Sequence, residues 1–225
     1  MKVHFAATPA EQVSQLRAWG LEAGPLVEAV LWARGFYADC TPLHPRGYKF
    51  IHAYAEAGRR VRELHITRGW AVCDLNNQTA IRHERLKLRL YPCNFCSATA
   101  DPNGTPKNLS DKGSAAEGDA RNNRQAELFP HGLPQIVPDA EVETVQGYTT
   151  LVLGMNFEDE LPKAEVALPI RFMDGRFKAF LKRVPLLDGK SGPLLGGKSS
   201  SPAPEPKHDG DEAFGEVDIP IKVVS

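Results

Sequence analysis

Basic side chains that alternate with leucines form the most suggestive chemical pattern in this chain. Arg85, Lys87 and Arg89 lie two residues apart, and Tyr91 continues the spacing. On a β-strand, residues two apart point to the same face about 7 Å from one another. The spacing predicts a linear row of cations that suits a phosphate backbone, with an aromatic ring for stacking on bases. The alternative is an edge strand whose charges deter aggregation.

Two further segments extend this prediction. Arg62 and Arg68 lie in and after a predicted helix, where they lack the helical charge partners that neighbouring residues have. Between residues 171 and 183, basic and aromatic residues interleave as on nucleic-acid surfaces, although amphipathic packing produces the same alternation. The predicted nucleic-acid-binding residues are Arg62, Arg68, Arg85, Lys87, Arg89, Tyr91, Arg176, Lys178, Lys182 and Arg183.

Cysteines indicate a second kind of chemistry. Cys93 and Cys96 have the spacing with which two thiolates reach one tetrahedral Zn²⁺. The predicted remaining ligands are Cys40 and His44, with Cys73 and His83 as substitutes. The alternative is that these cysteines are small apolar residues. No cofactor is firmly implied, and zinc is the possible one.

Sequence motifs that would indicate a particular reaction are either missing or lack the secondary structure that they require. The segment 192–199 (GPLLGGKS) matches the phosphate-loop pattern, but it overlaps a tandem octapeptide and precedes prolines instead of a helix. The chain has no HExxH zinc-hydrolase motif and no GxSxG nucleophile elbow. A catalytic role is therefore not favoured.

The near-neutral net charge conceals an asymmetry between the two halves. Lys and Arg number 27 against 28 Asp and Glu, but residues 1–100 carry +5 and residues 101–225 carry −6. This indicates a polyanion-facing surface and an acidic tail. No run of 18 apolar residues is present, so a membrane span is not expected. Four cysteines without a secretory-type N-terminus predict a cytoplasmic protein.

The elements that must position these residues are read from capping and periodicity. Thr8, Pro9 and Glu11 predict a helix start, and Gly20 its end. Further helices are predicted over 25–33 and 46–64 from apolar periodicity. Strands are predicted over 70–75, 79–91, 148–157 and 164–172, the first two joined at Asn76 and Asn77. The predicted fold is α+β, with N-terminal helices followed by an antiparallel sheet.

Four regions follow from these elements. Residues 1–96 are the helices and a basic hairpin, 97–127 a long polar loop or insertion, 128–184 the rest of the sheet, and 185–225 a flexible linker with an acidic tail. In the tail, apolar residues alternate over Val217 to Val223, and Pro220 restricts such a strand to an edge, of this sheet or of a partner. Residues 212–221 are loosely similar to the acidic tips of bacterial single-strand DNA-binding proteins, which dock partner proteins.

Together these patterns predict a non-catalytic nucleic-acid-binding accessory protein with a tail for partner docking. The alternatives are a protein-interaction module, such as an inhibitor or a subunit of a larger complex, and a metal-dependent enzyme.

Overall fold

The computed structural model describes residues 3–128 and 147–190. Among them are the helices α1 (Pro9–Ala18), α2 (Ala23–Ala38), α3 (Tyr48–His65) and α4 (Ser114–Leu128). The strands are β1 (His4–Phe5), β2 (Ala71–Cys73), β3 (Ala80–His83), β4 (Leu88–Asn94), β5 (Thr149–Asn156), β6 (Lys163–Met173) and β7 (Arg176–Asp188). The predicted α+β class is confirmed, with three helices preceding most of the strands. None of the helices in the described ranges is long and apolar enough to cross a bilayer.

The start of α1 follows the predicted capping chemistry. The Thr8 side-chain oxygen accepts a hydrogen bond from the backbone N–H of Glu11, and the Glu11 carboxylate accepts one from the N–H of Thr8. Pro9 occupies the first helical position, where its missing N–H costs no hydrogen bond. Gly20 follows the helix with φ +63, a conformation that glycine adopts without steric cost.

All seven strands form one mixed sheet in the order β1-β7-β6-β5-β4-β3-β2. The pairs β4–β5 and β1–β7 are parallel, and the other neighbours are antiparallel. The prediction of an antiparallel sheet therefore holds for four of the six strand pairs. The parallel pair β4–β5 requires a long crossover, and the chain between these strands contains α4.

Two apolar cores lie on opposite faces of this sheet. Leu88 and Leu90 of β4 pack with helices α1 to α3 on one face. Tyr91 and Cys93 of the same strand pack on the other face with Phe95 and with Ala116 of α4. Because successive strand residues point to opposite faces, β4 contributes to both cores. A strand covered on both faces is buried along most of its length, as β4 is.

The predicted strand over 79–91 is divided by a turn. Residues 84–87 connect β3 to β4, and Lys87 has φ +50, which a strand residue does not adopt. The preceding turn is as predicted, since Asn76 and Asn77 both have left-handed φ values. The strand prediction failed at Glu84 to Lys87 because alternation of side chains persists through a short turn.

The region predicted as a polar loop, 97–127, contains most of α4. Its composition is polar because α4 is held to the sheet mainly by side-chain hydrogen bonds. The Asn123 amide donates to the carbonyls of Thr150 and Pro169, and its oxygen accepts from the Thr150 N–H, each at 2.8 Å. Asn123 thus bridges β5 and β6 beyond Val152 and Ala167, the last residues at this end that pair between the two strands.

Strand β7 was not predicted, and it also corrects the predicted linker. It runs to Asp188, past residue 185, where the linker was expected to begin. Residues 185–188 are apolar or pair with β6. The start of the linker that was predicted from composition alone therefore lies too early in the chain. The remaining linker, the segment 192–199 and the strand-like stretch Val217 to Val223 lie outside the described residues.

Candidate nucleic-acid interface

The predicted cationic row does not form. Arg85 and Lys87 are exposed in the β3–β4 turn, whereas Arg89 points into the interior and is 0% exposed. The Arg89 guanidinium lies 3.3 Å from the Asp119 carboxylate of α4 and donates to the Leu75 carbonyl. An arginine enclosed in this way holds a helix on the sheet and presents no charge to a phosphate.

Tyr91 is also enclosed and is not available for stacking. Its side chain is 2% exposed, and its hydroxyl has no hydrogen-bond partner within the described part of the chain. Burial raises the pKa of the Tyr91 phenol well above its ordinary value, with the nearby Asp119 carboxylate adding to the effect.

Arg183 is the third predicted residue that the fold buries. It forms an ion pair with Glu165, through Nε at 2.9 Å and Nη2 at 2.7 Å. Its remaining N–H groups donate to the carbonyls of Ala98, Asp101 and Gly104. Burial raises the pKa of the Glu165 carboxyl, and the Arg183 guanidinium opposes this rise. Arg183 therefore anchors the loop after β4 to strands β6 and β7.

Four other predicted residues are exposed or half-buried but paired with carboxylates. Arg62 bonds Asp74 and the Cys73 carbonyl, and Arg68 lies 2.6 Å from Glu22. Arg176 lies 2.8 Å from Asp111, and Lys178 lies 3.7 Å from Asp174. Lys182 has no ion pair among residues 3–128 and 147–190. Arg176, Lys178 and Lys182 all lie on β7, apart from the β3–β4 turn.

The structure does collect cations around the β3–β4 turn. We call Arg68, Arg82, Arg85 and Lys87 the basic turn surface. Gly69 approaches the His83 ring, and the Trp70 and His83 rings are 5.4 Å apart, which brings the end of α3 to this turn. Lys87 lies over the Tyr148 ring at 5.1 Å. The facing carboxylates are Glu22 and Glu84, so cations outnumber them by four to two.

Two arginines that sequence reasoning missed lie near this surface. Arg121 and Arg124 are exposed on α4 and flank Asn123. Asn123 bonds Thr150, and the neighbouring Thr149 donates its N–H to the Lys87 carbonyl at 2.8 Å. These arginines were overlooked because their segment was read as a loop, although the 3- and 4-residue spacing of Ala116, Ala120 and Asn123 is helical.

The predicted metal ligands are not assembled. Cys93 is buried on the α4 face of the sheet, whereas Cys40 follows α2, which packs on the opposite face, and its sulfur lies 3.9 Å from His52 Nδ1. His44 bonds Thr41 in the exposed loop that follows. Burial raises the pKa of the Cys93 thiol to about 11, which disfavours the thiolate that a metal requires.

No group of three or more His, Cys, Asp or Glu within the described ranges is placed to hold a metal ion. The Cys96 sulfur accepts a hydrogen bond from the Lys107 N–H instead. No protein-family model, curated protein or solved structure matches the chain.

Proposed function

We propose that this protein binds nucleic acid without catalysis, through the basic turn surface. The observation that carries the proposal is the convergence of cations from the end of α3, from β3 and from the β3–β4 turn. Lys87 and Arg68 keep 60% and 44% of their side chains exposed, and Arg85 has no ion pair within the described residues. The interface is accordingly smaller than the ten-residue set predicted from sequence.

Such a surface suits sequence-independent contact with phosphates. Each Lys or Arg that neutralises a phosphate releases condensed counterions, so affinity depends on salt. The cations of this surface lie on a turn, on β3 and in the short helical turn after α3, and this arrangement favours backbone contacts over base reading. The expected dissociation constant is in the non-specific range, about 10⁻⁴ to 10⁻⁶ M at physiological salt.

The test is a fluorescence-anisotropy titration of labelled single-stranded and duplex DNA and RNA at low and moderate salt. Binding should weaken with salt, with a slope on logarithmic axes of about −0.9 per phosphate contacted on duplex DNA. A chain that binds none of these polymers at low salt contradicts the proposal.

A matched pair of variants locates the interface. The double variant Arg85→Glu/Lys87→Glu should bind at least about tenfold more weakly and should reduce the salt slope by roughly 1 to 2. The control Arg46→Glu/Lys107→Glu makes the same change in net charge at exposed residues. Arg46 precedes α3 and so lies about 27 Å, the length of that helix, from the basic turn surface. Equal losses in both variants would contradict a local interface.

A protein-interaction module is the second candidate, favoured by two highly exposed apolar residues. Leu43 is 95% exposed in the loop between α2 and α3, and Ile51 is 65% exposed in the first turns of α3. Apolar residues this exposed are typical of protein contacts when they cluster. If the chain binds no nucleic acid but self-associates in sedimentation, and Leu43→Ser/Ile51→Ser abolishes the association, this candidate replaces the first.

A cytoplasmic location belongs to the same proposal. All four cysteines are free thiols in the structure. Unpaired thiols persist in reducing compartments and are rarely kept in oxidising ones.

A further inference from the structure

One edge of the sheet exposes unpaired backbone groups beside a cavity. Among the strands of the described residues, β1 pairs only with β7, in parallel. The Ala6 N–H donates to the Arg183 carbonyl at 3.0 Å, so the alternation of a parallel ladder turns the Phe5 N–H and C=O away from β7. Within residues 3–128 and 147–190 no backbone group pairs with Phe5 on that side. An open strand edge of this kind is a template for another strand.

A cavity of about 160 Å³ adjoins this edge. Its lining combines apolar residues, among them Val3, Phe5 and Phe180, with the polar residues Asn103, Thr105, Lys178 and Arg183. Ligand pockets for small molecules usually measure about 300 to 1,000 Å³. The cavity is therefore too small for a typical metabolite, but it has room for one side chain of an added strand, which could lie against Phe5 and Phe180.

We infer that the C-terminal segment from Glu216 to Val223 of the same chain pairs with the open edge of β1. Its apolar residues Val217, Ile219, Ile221 and Val223 alternate along the sequence, as a half-buried strand requires. Placed beside β1, one of these side chains fills the cavity. The segment lies outside the described residues, and this inference does not depend on nucleic-acid binding.

Pro220 is compatible with a strand that adds to the edge of a sheet. In a strand that pairs on one side only, alternate N–H groups face solvent. If the segment runs antiparallel to β1 with Ile219 opposite Phe5, the backbone groups of Ile219 face those of Phe5, and Pro220 lies at the position whose missing N–H would face outward. Proline also prevents the next strand from adding, so the edge of the sheet is closed.

Charge complementarity supports the same placement of the segment beside β1. His4 and Lys182 are paired residues, so both side chains project on the face opposite Phe5 and Arg183. Lys182 has no ion pair among residues 3–128 and 147–190. In the added strand, Glu216, Asp218 and Lys222 alternate with the apolar residues and therefore project on the face of Lys182, where the two carboxylates outnumber the added lysine.

The intervening chain is long enough for this contact. Residues 191–215 separate Lys190 from Glu216, and a Pro/Gly/Ser-rich segment of this length has a mean end-to-end distance of about 28 Å. Lys182, the β7 residue beside His4, precedes Lys190 by eight residues, about 26 Å along a strand. The linker therefore matches the span without being stretched.

The test is amide hydrogen exchange in the full chain, measured by NMR at Phe5. In the double variant Ile219→Asp/Ile221→Asp, the Phe5 amide should exchange about fivefold faster, the effect of losing one net backbone hydrogen bond. Leu194→Asp/Leu195→Asp is the matched control, because it introduces the same charges into the linker. Unchanged exchange at Val152 in the core establishes that both variants are folded.

A peptide of residues 215–225 added to the Asp variant should restore slow exchange at Phe5. Equal exchange at Phe5 in the wild type and both variants would overturn the inference. Protection that grows with protein concentration would also overturn it, because it would place the segment on a second copy of the chain.

Discussion

Tyr91 places a phenolic hydroxyl in the core on the α4 face, where no described residue pairs with it. Burying a hydroxyl without a partner costs free energy, which phenylalanine of nearly the same shape avoids. Tyr91→Phe should therefore leave the free energy of unfolding unchanged or raise it by up to about 1 kcal/mol. Urea unfolding measures this change. A loss of more than about 1 kcal/mol would show that the hydroxyl has a hydrogen-bond partner.

The ring of Phe95 leaves no room for a side chain at Gly154. A Cβ atom on Gly154 would lie 2.2 Å from Phe95 Cδ2, and that ring packs against Phe177 and Phe180. Because the ring cannot move without disturbing the core, Gly154→Ala should lower the free energy of unfolding by about 1 to 3 kcal/mol.

The control for this variant is Gly35→Ala in α2, where a Cβ atom meets nothing within 4 Å. It should stabilise the protein by up to about 1 kcal/mol, because alanine is the better helix former. Destabilisation of similar size in both variants would contradict the assigned role of Phe95.

At the scale of elements, α4 is attached to the sheet by polar contacts. Asn123→Ala removes three hydrogen bonds and leaves the backbone groups of Thr150 and the Pro169 carbonyl without their partner. Each buried group left unpaired costs about 1 to 3 kcal/mol, so the expected loss of unfolding free energy exceeds about 2 kcal/mol. Amide exchange should also become faster throughout α4.

Gln125→Ala, at an exposed position of the same helix, is the matched control. It should change stability by less than about 0.5 kcal/mol, as surface substitutions usually do. If Asn123→Ala has an effect as small as this control, the proposed attachment of α4 is wrong.

The polar attachment of α4 also explains where sequence interpretation of elements succeeded and failed. Caps and short turns were predictable at Thr8 and at Asn76, because their geometry depends on neighbours within three residues. Strands β5 and β6 were predictable because their apolar residues are continuous or alternate. Helix α4 was not, because its buried face combines two alanines with Asp119 and Asn123, which are buried by pairing with distant residues, so the apolar stripe is interrupted.

For the whole molecule, His65 links stability to pH. The ring is 1% exposed between Val61 and Trp70, and burial lowers the pKa of His65 below its ordinary value of 6.5. The unfolded chain therefore takes up a proton before the folded one as pH falls. The stabilising contribution is complete above pH 6.5 and is lost as pH falls towards the folded pKa.

His65→Gln should flatten this dependence between pH 7.5 and 5.5. The wild type should lose up to about 1.4 kcal/mol per pH unit from this group, and the variant should lack that contribution. Urea unfolding at a series of pH values measures the slope, with the exposed His44→Gln as control. Parallel slopes in the wild type and His65→Gln would contradict the role of His65.

The sequence by itself determined the α+β class, the helix caps and the period of most strands, because these depend on local spacing and on backbone preference. It also determined that positive charge is concentrated before residue 100. Only the tertiary structure decided which of those charges reach solvent. Arg89 and Arg183 carry the same charge as Arg85, but Asp119 and Glu165 come from other elements to enclose them. Burial depends on contacts between residues far apart in the chain, and local periodicity does not predict these contacts.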